Sequence, residues 1–211
     1  MDFNKFWKEC ALVLLAAIIL GVSFNYPLQG FSNLMSLFGI FIAIISINVL
    51  AKKFFASNLE TDVNLDLWNW YQFGLGRKQH FKNPIPMIWL PIVSSLMTRG
   101  VFVWASLLSF NVSPRSERIT RRHGLYRYTE VTEWHIALIA IFGILANIVL
   151  GVIGYFAGFE TFAKFSILYS VWNLVPVSNL DGTKIFFGSR NLWFTMIVLV
   201  LAVFFWSLTI V

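Results

Sequence analysis

Apolar residues in this chain gather into long runs instead of recurring at the spacing of a half-buried helix or strand. Six runs stand out, at 6–24, 34–55, 87–110, 135–157, 165–187 and 192–211. A helix needs about 20 mostly apolar residues to cross the hydrocarbon core of a bilayer, and every run is long enough. Two of them carry interruptions. The run 165–187 is broken by Pro176 and the polar stretch SNLDG. The run 87–110 opens in PIPMIWLP and has SLMTRG at its centre. Pro84, Pro86, Pro91 and Gly100 there oppose a continuous helix, so a re-entrant or sheet-like segment is expected. Between 57 and 83 lies a mixed, aromatic-rich loop whose Trp68, Trp70, Tyr71 and Phe73 suit the membrane interface. The pattern predicts a single membrane domain over 1–211, all-α and polytopic, with about five transmembrane helices plus the interrupted segment.

Composition supports this reading. Of 211 residues, 58% are hydrophobic and 12% charged, against about 25% charged in soluble domains. The net charge of +6 sits on residues that flank the apolar runs. It therefore reads as a topology signal and an attraction to anionic lipid, not as a nucleic-acid footprint. Lysine and arginine also set an expected sidedness. Residues 23–33 carry neither, whereas Lys52, Lys53, Arg77, Lys78 and Lys82 follow the second run and Arg115, Arg118, Arg121, Arg122 and Arg127 follow the third. Both basic loops are expected in the cytoplasm, with the N-terminus inside and the C-terminus outside in the cell membrane. The third run must then enter and return on one side. Arg99 falls in its middle, where burial within protein would make the charge tolerable. The first run could also be read as a cleaved signal peptide, but SFNYPLQG after it is a poor cleavage site, so a retained helix is expected. The single cysteine, Cys10, excludes an internal disulfide.

Three stretches carry candidate chemistry. NLVPVSNLDG contains Asn173, Pro176, Asn179, Asp181 and Gly182. IFGILANIVLG places Asn147 among the small residues Gly143, Ala146 and Gly151, and IISINVLAKKFFA ends the second run. In order and spacing these resemble the site-2 protease family of intramembrane zinc metalloproteases: the N-x-x-P-x-x-x-L-D-G element, the G-P-x-A-N helix with Ile144 in place of proline, and the end of the helix that carries H-E-x-x-H. The resemblance implies a site-2-protease-like core. It also implies a zinc site made of two histidines one turn apart and the LDG aspartate, with a glutamate as base. Asp181 stands at the aspartate position. The histidine positions fall on Ala43 and Ile47, and the glutamate position on Ile44; none of these side chains can hold a metal or move a proton.

His80 and His123 lie in basic loops and read as solvated. His135, near Glu130 and Glu133, is a possible substitute ligand, but two carboxylates at those offsets do not share its helical face. Thr129 or Thr132 would cap that helix. With no histidines around it, Asp181 needs another partner. The candidates are Lys184 one turn on, Arg99, Asn147 and Asn173. The expected protein is a catalytically inactive site-2-protease-like membrane protein without a cofactor. Its partners are membrane lipids and transmembrane segments of other membrane proteins, received beside the break at Pro176. The alternatives are an active intramembrane zinc metalloendopeptidase with non-standard ligands, and a transporter or channel component in which Arg99 and Asp181 are pathway charges; the lack of an internal repeat counts against the latter.

Overall fold

The computed structural model describes residues 3–27, 30–72, 80–115, 122–123, 126–127 and 131–210. Expectations for Phe73, Arg77, Lys78, Arg118, Arg121, Thr129 and Glu130 lie outside the described residues, as do the side chains of His80, Arg122, His123 and Arg127.

Helices α1 (Phe3–Phe24) and α2 (Phe31–Asn58) form an antiparallel pair. The strands β1 (Thr61–Leu67), β2 (Asn69–Gln72) and β3 (His80–Pro86) follow, then a short helix α3 (Leu90–Met97) and strand β4 (Leu108–Pro114). Two-residue strands β5 (Arg122–His123) and β6 (Tyr126–Arg127) lead to α4 (Glu133–Phe156), α5 (Glu160–Asn173), α6 (Asp181–Gly188) and α7 (Arg190–Ile210). The described residues are mainly helical, with small two-stranded antiparallel sheets.

Among the described residues four helices, α1, α2, α4 and α7, are long and apolar enough to cross a membrane. About five spans were expected, the one at 165–187 as a broken helix, and that run is interrupted here. It is split between α5, which begins earlier at Glu160, and the eight-residue α6. Pro176 supplies no backbone N–H and biases the residue before it away from helix, so the chain leaves α5 at Asn173 and re-enters helix only at Asp181.

The run 87–110 is likewise not one helix. Pro91 occupies the first turn of α3, where its missing N–H costs nothing. At the other end of α3, Ser95 Oγ donates to Ser23 O at 2.6 Å, close to the C-terminal end of α1. The chain then turns and returns as β4. This strand pairs with β1 from Thr61↔Pro114 to Leu67↔Leu108. The excursion thus runs from the Lys8–Lys53 end of the α1–α2 pair to the Ser23 end and back. Arg99 lies at its far tip, exposed and with a φ of 54°. The expected burial of Arg99 at mid-depth is overturned. The tip reaches the α1–α2 connection, where a Cβ on Gly100 would lie 2.2 Å from Tyr26 O.

Trp68 also departs from expectation. It is a core residue at 1% exposure, stacked on Trp104 with ring centroids 5.4 Å apart, and Trp104 in turn meets Trp172 of α5 at 4.6 Å. Offset ring pairs of this kind add to area burial, and they join the β1–β2 corner to α5. The interface role expected for Tyr71 remains compatible with its 44% exposure.

Candidate functional site

The buried face of α2 is Leu37, Phe41, Ile44, Ile45, Asn48, Val49, Lys52 and Ala56. Its row at intervals of four, Ile44–Asn48–Lys52, carries two polar residues through an otherwise aliphatic surface, because side chains four apart lie on one face of a helix. The residues at the expected histidine positions, Ala43 and Ile47, are half-buried and sit beside this row.

Asp181 is the first residue of α6 and is fully buried. A carboxylate at a helix N-terminus is favoured by the peptide dipoles, but the decisive partner is distant in sequence. Lys52 Nζ donates to Asp181 Oδ2 at 2.5 Å, with side-chain exposures of 6% and 0%. The expected partners act elsewhere. Lys184 donates to Phe110 O, and Asn173 bonds Tyr169 O through Nδ2 while accepting from Ser106 Oγ. Arg99 lies in the exposed turn after α3. Asn147 is fully buried with both side-chain polar atoms unpaired; α4 and α5 are tied instead by Ser166 Oγ donating to the backbone carbonyl of Asn147.

The sequence builds room for Lys52 from two sides. Gly143 of α4 faces it so closely that a Cβ there would lie 2.6 Å from Lys52 Cε and 3.0 Å from Asn48 Nδ2. Phe110 of β4 covers it, with the ammonium 4.7 Å from the ring centroid, and Lys184 lies 3.8 Å from the same centroid. A cation against an aromatic face is attracted to it, so Phe110 serves both lysines. Asp181 Oδ1, Asn48 Nδ2 and Thr183 Oγ1 are also buried without partners. Polar atoms of this kind ordinarily find partners or ordered water.

Gly182 and Pro176 shape the segment before Asp181. A Cβ on Gly182 would fall 2.1 Å from Leu174 O, so only glycine lets α6 start against the end of α5. Pro176 is exposed on the connecting loop. In that loop Ser178, at a φ of 50°, donates its Oγ to Asn69 O and accepts from Tyr71 N–H, which fastens the loop to β2.

A groove of about 350 Å³ opens beside this centre, lined among others by Phe110, Val112, Asn179, Thr183, Lys184 and Phe187. One wall is the edge of β4. Trp68 N–H bonds Leu107 O at one end of the β1–β4 ladder, and Arg115 N–H bonds Glu60 O at the other. Hydrogen-bonded and non-bonded pairs alternate in an antiparallel ladder. The backbone groups of Leu108, Phe110 and Val112 therefore point away from β1, and Lys184 takes one of them, Phe110 O.

Zinc does not fit this donor set. Asp181 is held by an ammonium, its α2 neighbours are an amide and aliphatic side chains, and among the described residues no three His, Cys, Asp or Glu cluster to hold a metal. His135 Nδ1 lies 2.5 Å from Oγ1 of Thr132, the residue that caps α4. Lys52, Asn48, Phe110 and Ser178 are the residues that sequence reasoning passed over. Lys52 reads as a topology charge, yet it sits four residues after Asn48 inside the apolar run. That pairing of offsets is the signal that could have found it.

Comparison with family models, with curated proteins and with solved structures finds no match.

Proposed function

We propose that this chain is a site-2-protease-like membrane protein without proteolytic activity, which receives an extended stretch of a partner's transmembrane segment in the groove beside β4. The observation that carries the reading is the Lys52–Asp181 pair. A lysine supplies the positive charge beside the LDG aspartate where the resemblance would put zinc, and an ammonium can neither polarise a carbonyl as a metal does nor generate a metal-bound hydroxide.

What remains is a binding surface. The outward edge of β4 offers backbone donors and acceptors to one further strand, a recognition mode in which main-chain bonds give affinity and alternate side chains give selectivity. Val112 and Phe187 supply apolar contacts, and Asn179 and Lys184 supply polar ones. A transmembrane segment received in this way must unwind locally, so segments weakened by glycine or proline are the favoured partners.

The test uses the purified full chain in micelles and a synthetic transmembrane peptide with a Gly-Pro break and a photo-crosslinker next to it. Crosslinks are expected at Phe110–Val112 and at 179–187, with the peptide recovered whole. A cut peptide, or crosslinks spread over the outer faces of α1 and α7, contradicts the proposal.

A further inference from the structure

A second crevice lies between α1, α2 and β1, away from the groove beside β4. Its volume is about 380 Å³, within the roughly 300–1,000 Å³ range of ligand sites. Val13, Leu14, Ile42 and Leu50 make it apolar over most of its length. At one end stand Glu9 and Lys53, joined by an ion pair through Glu9 Oε2. Glu9 is only 6% exposed, and its second oxygen, Oε1, is buried with no hydrogen-bond partner.

A buried acceptor left open costs free energy until a donor reaches it. Which donor is indicated by the surroundings. Trp7 and Lys8 share the first turns of α1 with Glu9 and are exposed, the composition of a membrane–water boundary. Leu14 lies five residues further along α1, roughly 7.5 Å deeper at 1.5 Å per residue. The polar end of the crevice is therefore at headgroup level and its apolar length at acyl-chain level. The unpaired carboxylate oxygen calls for an N–H donor carrying positive charge, and the half-buried Lys53 beside it favours an anion, while Lys8 at the rim is paired with Asp66.

We infer that this crevice binds one phospholipid with a primary-ammonium headgroup, its ammonium on Glu9 Oε1, its phosphate beside Lys53 and one acyl chain along Leu14 and Ile42. An ethanolamine headgroup has the N–H donors that Glu9 requires. A choline headgroup of the same charge has none, so the site discriminates between the two.

Cys10 lines the crevice and is the only cysteine in the chain, which makes it the reporter. The full chain in micelles is alkylated with N-ethylmaleimide while dioleoyl phosphatidylethanolamine or dioleoyl phosphatidylcholine is added. The ethanolamine lipid should slow alkylation several-fold and saturably, with one lipid per chain retained in native mass spectrometry; the choline lipid should leave the rate near its starting value. Glu9→Gln should abolish the difference. Leu14→Trp fills the crevice without touching the ion pair and should abolish retention of the ethanolamine lipid, which keeps the test decisive if Glu9→Gln fails to fold. Equal protection by both lipids, or discrimination that survives either folded variant, overturns the inference.

Discussion

Lys52 and Asp181 are 129 positions apart, and each makes sense only through the other. A lone charge at this depth is expensive, and a pair is tolerated only when its geometry is good. Removing one partner leaves the other stranded. Lys52→Met should therefore destabilise the fold by about 3–5 kcal/mol, whereas Lys52→Met combined with Asp181→Leu should recover most of that loss, because apolar replacement of a whole buried pair is often close to neutral. Reversible unfolding in mixed micelles, run as a double-mutant cycle, checks this; additive losses would mean that the two side chains do not depend on each other. Sequence alone singles out Asp181, since a carboxylate in a polar break between apolar runs has few excuses. It does not single out Lys52. A lysine near the end of an apolar run is the ordinary sign of a membrane boundary, and only the packing of Gly143 against it turns it inward.

At the scale of elements, small residues decide where helices meet. Of the glycines on α4, Gly143 faces Lys52 of α2, whereas Gly151 and Gly154 face Ser166 and Phe162 of α5. A close-packing helix was legible from those residues, but the partner of each glycine was not, because spacing gives the face and not the neighbour. Gly143→Ala should cost about 1–3 kcal/mol as the new methyl pushes the lysine chain off its place. Gly182→Ala should cost more, since a Cβ there meets the backbone carbonyl of Leu174 at 2.1 Å and no side chain can move aside. Thermal unfolding of both variants gives the order, and a milder effect at 182 would contradict it. Ser178→Ala removes the hydroxyl that clasps Asn69 and Tyr71. About 1 kcal/mol should be lost, from typical hydrogen-bond values, with faster proteolysis of the loop between α5 and α6. The break in the run 165–187 was legible from Pro176; the extent of α5 back to Glu160 was not, since its first residues lie outside the apolar run.

For the whole molecule, the apolar runs predicted helices long and apolar enough to cross a membrane, four of which form among the described residues, and they misplaced one charge. Arg99 is central in its run, which invites a mid-bilayer placement. The short α3 instead carries it to the end of α1 marked by Ser23 and Tyr26. With Cys10 replaced by serine, cysteines introduced at Arg99 and at Gly30 should react with a membrane-impermeant maleimide from the same side, and a cysteine at Lys8 from the opposite side; Arg99 and Lys8 labelled from one side would contradict the arrangement. The proposed function requires that the positive charge facing the LDG aspartate be Lys52 and not a metal. Its most direct test is the metal content of the full chain after equilibration with zinc and gel filtration. No zinc should elute with either the wild-type chain or Asp181→Ala. Near-stoichiometric zinc on the wild type that disappears in Asp181→Ala would contradict the claim.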